Sequence, residues 1–446
     1  YRRLGIASLK IEGRMRSAEY VHTVVSAFRK ALDDPELTEE AREELRMDFG
    51  RRKTSLFLTG TQSAEVIEPN RAAGTGFELG MVRGADKEWV TLDTQEEIGV
   101  GDRVRFHTPD GSEGKAAKVQ EVGGTRKGGL KIKIPADTGH RVGDRVYLIA
   151  THRGLPPGLR KKRIEVRPVR FRDTAPHARR ILNDLNKRSA RKKQAGKARL
   201  FLRADTLQWL RVFGAAPSDG VVLSAERREL ERLTHDRPLL QAWRKRLEIS
   251  LPPFIPEAEL EPWRKVIRAL REQGIHRWVC GHIGQIAMFN KKDQCRADTS
   301  VWCINRATHS ALMDVGFAAV SVSPEDDILN VRAWAEPQCY FTLFSLVPLF
   351  ISRIAPPLPP HAELTDSRDE PFFIERRHGL YYTIAARPLC LTHRRDNLLR
   401  TGIHRFVLDF SFLKPHKKLL KNVLDHYNRK VKIQGTTVFN HKAGLR

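Results

Sequence analysis

The chain has 446 residues, and its formal net charge of +26 comes from 79 Lys and Arg against 53 Asp and Glu. Apolar residues make up 40%, which excludes a disordered chain, and the length suits two or three domains rather than one core. No apolar run reaches the ~18 to 20 residues that span a bilayer, and five cysteines in so long a chain do not form a disulfide scaffold. No membrane is expected, the cytoplasm is the expected compartment, and so large a cationic surplus favours a polyanion, nucleic acid being the obvious one.

Residues 5 to 33 read as strand, turn and helix. Lys10 and Glu12 alternate with Leu9 and Ile11, so by the period of two they share a face and can pair. Ser17 caps the helix, Glu19 sits in its first turn, and Val21, Val24, Val25, Phe28 and Leu32 recur at helical spacing as its expected buried face. A second helix begins at Thr38. Over 51–150 short β-rich runs at Leu79–Val82, Trp89–Leu92, Arg103–His107, Leu130–Ile134 and Arg145–Ile149 alternate with Gly and Asp turns. Gly101-Asp102-Arg103-Val104 recurs as Gly143-Asp144-Arg145-Val146, a pattern that suggests a small β-barrel.

Residues 151–199 are a basic connector with 17 Lys and Arg against three acids, densest over Lys187, Arg188, Arg191, Lys192 and Lys193. Such a run is either a solvated linker or a phosphate-contacting segment. From Leu200 to the end of the chain, β runs at Arg199–Arg203, Gly220–Leu223, Leu247–Leu251, His276–Cys280, Phe317–Val322, Cys339–Phe344 and His404–Asp409 alternate with helical patterns such as Pro256–Glu272, Arg306–Asp314 and Pro324–Trp334. Alternation of this kind predicts an α/β domain, a barrel or an open sheet. Gly5 to Glu12 can be laid on Gly402 to Asp409, each a Gly-Ile leading into a strand that ends in an acid. The expected fold is therefore multidomain α/β: the end of a TIM-like barrel domain (1–50), a small β-barrel (51–150), the connector, and a second α/β barrel-like domain (200–446). On this reading the chain is the C-terminal part of a longer enzyme.

The segment Ser8-Leu9-Lys10-Ile11-Glu12-Gly13-Arg14-Met15-Arg16-Ser17-Ala18-Glu19-Tyr20-Val21 resembles the stretch that closes the main domain of peptidase family U32. A second block, Ala297-Asp298-Thr299, Asn305-Arg306, Leu312, Gly316 and Val320-Ser321-Val322-Ser323-Pro324-Glu325, is similar to the family's pattern of strand, Asn-led helix, Gly turn and strand. The resemblance is to the long subgroup, whose members are associated with hydroxylation of a cytidine in large-subunit ribosomal RNA. It implies RNA as partner and an iron–sulfur cluster upstream of Tyr1, with none in this chain, because its cysteines do not supply a four-cysteine set. The family name implies peptidase activity, which stays open as an alternative, as does a non-catalytic RNA- or ribosome-binding platform.

Lys10, Glu12, Arg14, Arg16 and Tyr20 are the candidate substrate contacts, since Lys10 and Arg14 can hold a phosphate or carboxylate that Glu12 orients; a structural ion pair is the other reading. The basic residues 187, 188, 191, 192 and 193 are the candidate RNA contacts, with Arg203 and Trp209, and Arg376 and Arg377 near Tyr381 and Tyr382, as further Arg–aromatic groupings. No catalytic residue is assigned. His276, Cys280, His282 and Cys295 lack the tight paired spacing of structural zinc, so no metal is expected.

Overall fold

The computed structural model describes residues 4–13, 17–46, 54, 58, 67, 76–109, 113–124, 129–152, 176–181, 183, 196–214, 216–359, 362–366 and 368–442. The chain divides into two units, Tyr1–Val169 and Arg170–Arg446.

In the first unit, residues 6–12 belong to no strand. The strand expected there does not form: a strand needs a neighbour to take its backbone hydrogen bonds, and among the described residues none pairs with this segment. Helix α1 (Ala18–Asp33) begins where expected, with the Ser17 hydroxyl accepting from the Tyr20 N–H at 3.2 Å. Helix α2 (Thr38–Arg46) packs back along it, and Lys30 of α1 bridges to Glu40 at 2.7 Å and to Glu44. Only part of the expected apolar face is covered: Val24 and Ala27 are buried, whereas Val21, Val25, Phe28 and Leu32 are exposed. A nine-residue neighbour masks one side of a helix of sixteen.

Seven antiparallel strands follow: β1 (Phe77–Ala85), β2 (Trp89–Asp93), β3 (Arg103–His107), β4 (Glu113–Lys118), β5 (Glu121–Gly124), β6 (Leu130–Lys133) and β7 (Arg145–Ala150). Their order is β4-β3-β7-β1-β2-β6-β5. The two edge strands are joined only by Val119 and Gln120, so the sheet must curl until its edges lie side by side around a core that includes Val82, Leu92, Phe106, Ile132 and Leu148. The repeated Gly-Asp has a common cause. Gly101 and Gly143 both adopt φ 95°, and the buried carboxylates of Asp102 and Asp144 accept backbone N–H groups of their own loops, from Gly99 and Arg141, both at 2.8 Å. Strands β4 and β5 escape a propensity reading because Glu-Gly-Lys-Ala-Ala-Lys and Glu-Val-Gly-Gly carry little β-forming character.

The second unit is built on eight parallel strands: β8 (Arg199–Ala204), β9 (Gly220–Leu223), β10 (Leu247–Ser250), β11 (Arg277–Cys280), β12 (Gln294–Ala297), β13 (Ala319–Ser321), β14 (Cys339–Ser345) and a last strand at Arg405–Asp409. Consecutive strands pair, β13 pairs with β14, β14 with the last strand, and the last strand with β8, so the ring closes as an α/β barrel. Helices such as α3 (Leu207–Phe213), α4 (Arg227–His235), α5 (Arg237–Trp243), α6 (Glu257–Glu272), α7 (Arg306–Val315) and α8 (Ile328–Trp334) separate the strands in sequence. In the Ala297–Glu325 block, Asn305 caps α7 by accepting from the Thr308 N–H at 2.8 Å, and Gly316 ends the helix at φ 115°.

Between β14 and the last barrel strand lies an insert: β15 (Pro348–Ser352), β16 (Leu364–Thr365), β17 (Pro371–Arg377) and β18 (Leu380–Ala385) form a four-stranded antiparallel sheet, and β19 (Leu389–Cys390) pairs antiparallel with β14. The closing barrel strand is then β20 (Arg405–Asp409), preceded by α9 (Arg395–Arg400) and followed by α10 (Lys417–Arg429). Among the described residues no helix is long and apolar enough to cross a membrane.

Candidate functional site

Period two sorts the barrel strands. Leu200, Leu202 and Ala204 of β8 point outward into the core beneath the helices, as do Leu247 and Ile249 of β10, Cys295 and Ala297 of β12, and Phe406 and Leu408 of β20. The intervening residues face the barrel axis. Phe201, Ala319, Tyr340 and Val407 form a small apolar layer there. Toward the carboxyl ends of the strands, the end at which barrel enzymes place their chemistry, the inward positions become charged.

The Arg203 guanidinium holds Asp298 through both nitrogens, each at 2.8 Å, and its Nε lies 3.6 Å from Asp409. Ser250 bonds to both partners, at 3.3 and 3.4 Å. Deeper, Arg296 bonds to Glu248 at 2.8 Å and to Ser321 at 3.0 Å, and lies 3.8 Å over the Tyr340 ring. Burial pushes the Asp298 carboxyl up, but Arg203 more than offsets this and holds it below the usual carboxylate range. Burial alone pulls Arg203 down, and Asp298 and Asp409 raise it above its ordinary value.

The insert lowers a hairpin tip onto this mouth. β17 and β18 turn through His378 and Gly379, both at positive φ, a two-residue hairpin loop. His378 Nε2 sits 3.1 Å from the Ser224 carbonyl at the end of β9, and Arg377 lies 3.6 Å from Asp205, the residue just past β8. Phe412, itself at φ 66°, donates its N–H to Asp205 at 2.8 Å. Burial raises the Asp205 carboxyl to about 6, in spite of these donors, and lowers the His378 imidazole. The cavity measures about 130 Å³ and is walled by Arg203, Asp205, Asp298, Arg377, Tyr382 and Asp409, among others. Gly281 keeps its wall in place, because a Cβ there would meet the Pro253 backbone at 2.7 Å. Three guanidinium groups face three carboxyls, so the cavity is a charge-paired cage suited to an uncharged ring with hydrogen-bonding edges more than to a free phosphate.

A carboxyl near 6 in this position makes a pH prediction. Between about pH 4 and 6 the folded protein keeps a proton on Asp205 that the unfolded chain has released, so this group's contribution to stability falls as pH rises through that window. Asp205→Asn is therefore expected to stabilise the protein above pH 6, by up to roughly 3 kcal/mol at 1.36 kcal/mol per unit, and to leave it unchanged below pH 4. Thermal melts of both proteins from pH 4 to 8 would show the two curves diverging; curves that stay parallel exclude the assignment.

Of the residues singled out in the sequence, Lys10 and Glu12 do pair, at 2.8 Å, with both side chains largely exposed. Tyr20 is half-buried on α1. Arg14, Arg16, Lys187, Arg188, Arg191, Lys192 and Lys193 lie outside the described residues. Trp209 is no surface platform for RNA: it is fully buried in the core, and Arg203 points into the barrel. Arg376 does lie over the Tyr381 ring, at 5.9 Å. The cage residues Asp205, Glu248, Arg296 and Asp298 were not read as a site. The signal was a charge at every second position of an otherwise apolar strand, as in Leu-Phe-Leu-Arg-Ala-Asp and Cys-Arg-Ala-Asp. His276 bonds instead to Asp293 at 3.3 Å, and His282 accepts from the Gly284 N–H at 3.1 Å. All five cysteines are buried. Cys280 is pushed up by its neighbour Cys295 and by burial, and burial raises Cys303 and Cys339 to about 12. Among the described residues no three His, Cys, Asp or Glu side chains are grouped so as to hold a metal ion.

The class defined by this fold is an α/β-barrel protein with a polar cavity at the carboxyl end of its strands, joined to an antiparallel β unit. Residues 2–68 match the model of peptidase family U32. Over 118 residues the chain is 38% identical to tRNA hydroxylation protein P1 of Bacillus subtilis (strain 168). That match takes in 24% of this chain and 28% of the relative, so it spans less than a third of the relative's length. The solved U32 peptidase Mk0906 is similar over 34% of this chain and 72% of its own, at 11% identity and a TM-score of 0.26.

Proposed function

We propose that this protein takes part in RNA modification, by hydroxylating a base, with a cytidine of ribosomal RNA as the target. The observation that carries the reading is the 38% identity to a tRNA hydroxylation protein. The net charge of +26 agrees with a polyanionic substrate. In this reading Lys10, Glu12, Arg14, Arg16 and Tyr20 contact substrate, the basic residues 187–193 contact phosphates, and the C-terminal barrel contributes to holding RNA. Hydroxylation turns a C–H bond into C–OH, a two-electron oxidation of the base, so the reaction takes a two-electron oxidant as co-substrate together with its oxygen source.

A peptidase is the second reading, and the family description favours it. All five cysteines are buried, and burial raises the Cys303 and Cys339 thiols, which speaks against a cysteine nucleophile. Mass spectrometry of ribosomal and transfer RNA nucleosides, from cells with and without the full-length gene, tests the proposal. The expected result is loss of a hydroxylated cytidine from ribosomal RNA, restored on complementation. An unchanged nucleoside profile defeats RNA modification; loss from transfer RNA alone keeps the class and replaces the target.

A further inference from the structure

Beside the cage, and sharing with it the walls Pro253, Thr299, Ser300, Pro324, Pro348 and Ile351, runs an open trough of about 460 Å³. Its surface is unusual for a barrel rim. Trp302 is 53% exposed and Phe350 is 71% exposed, and both line the trough. Arg353 lies 4.4 Å over the ring of Phe254, another lining residue, presenting a cation on an aromatic face.

Trp302 is also held in the left-handed region, at φ 58°. A bulky residue avoids that region, and such backbone is retained where its surroundings over-determine it, commonly at functional sites. Phe412 and His378, on the cage wall, share the feature. The apolar exposure continues along the edge strand β15 through Leu349 and Ile351.

Large rings beside a cation, in a groove, are the elements by which proteins hold unpaired nucleic-acid strands: bases stack on the rings, and cations follow the backbone. Charge agrees with that occupant. The unit that contains the trough has 48 Lys and Arg against 28 acids, which is +20 of the chain's +26. The trough's own charged lining residues are Arg353 and Glu325, and burial raises the Glu325 carboxyl and so opposes its negative charge.

We propose that this trough is a docking site for single-stranded RNA, with bases stacked on Trp302 and Phe350, a phosphate near Arg353, and one unstacked base entering the charge-paired cage. The site rests on the RNA-modification reading and makes it specific, since it places RNA on the C-terminal barrel, and a base must leave its stack before a protein can act on it or read its edge.

The test uses the full chain and a short fluorescein-labelled RNA of mixed sequence, single-stranded or annealed to its complement, followed by fluorescence anisotropy. Trp302→Ala and Phe350→Ala are each expected to weaken single-strand binding by about 5- to 150-fold. Trp302→Phe and Phe350→Tyr, which keep a ring, are expected to retain most of it, and the duplex should bind the parent protein more weakly than the single strand. Because Phe350 is 71% exposed, its variant keeps the test sound even where Trp302→Ala folds poorly. Parent-like affinity in Phe350→Ala and in a folded Trp302→Ala overturns the site. So does a change of oligomeric state with RNA affinity unchanged, which would make the face a protein interface. The two proposals fail separately: parent-like binding by the variants with the hydroxylated nucleoside gene-dependent removes the trough alone, whereas ring-dependent binding with an unchanged nucleoside profile removes RNA modification alone.

Discussion

Asp298→Ala is expected to destabilise the C-terminal unit by about 3–5 kcal/mol, lowering its melting temperature by on the order of 10 °C. Asp298 is 5% exposed and takes both terminal nitrogens of Arg203, so its removal leaves a guanidinium inside the barrel facing Asp409, at 3.6 Å, and Ser250. The penalty is that of an unpaired buried charge, more than that of a lost attraction. Replacing both partners separates these terms: Arg203→Met with Asp298→Leu should regain part of the stability, because this pair then carries no charge out of water and the remaining cost is that of Asp409, which loses its partner at 3.6 Å. Circular dichroism melts of the two variants decide the point. A double variant no more stable than Asp298→Ala would show that the cost lies in packing.

Trp209→Ala is expected to cost about as much, 3–5 kcal/mol, for a different reason. The ring is fully buried between Phe213, at 5.4 Å, and Phe410, at 5.0 Å, and its Nε1 donates to the Leu413 carbonyl at 3.0 Å. Phe410 and Leu413 follow β20, while Trp209 follows β8, so this contact clamps the seam where the barrel closes. Trp209→Phe keeps the burial and loses the hydrogen bond, with an expected cost of about 1–2 kcal/mol. Urea unfolding of both variants measures the difference, and equal losses would assign the whole effect to the hydrogen bond.

The barrel was legible in sequence because strands buried on both faces are written as apolar runs: Gly220–Leu223, Leu247–Leu251 and His404–Asp409 stand out without any partner in view. β12 was missed, since Gln-Cys-Arg-Ala is short and polar at the inward position. The same property hid the site. Arg203, Glu248, Arg296 and Asp298 each look like an isolated charge on a strand, and the charge pairs join strands that are separated by intervening helices. The Lys10–Glu12 pair was readable from alternation alone, since both ends lie two residues apart. The strand meant to carry it was not, because a strand depends on a neighbour that no local pattern supplies.

Closure of the ring also constrains how the molecule can be made. Arg199 pairs with Arg405, and Arg203 with Asp409. During synthesis β8 is the first barrel strand to emerge and its partner β20 the last, so β8 and β14 must both wait as open sheet edges while the insert between β14 and β20 is translated. Open parallel edges are where a nascent sheet recruits strands from other chains. A ribosome that stalls within the insert would therefore release a nearly complete but unclosed barrel, and such a product should depend on chaperones in a way the finished protein does not.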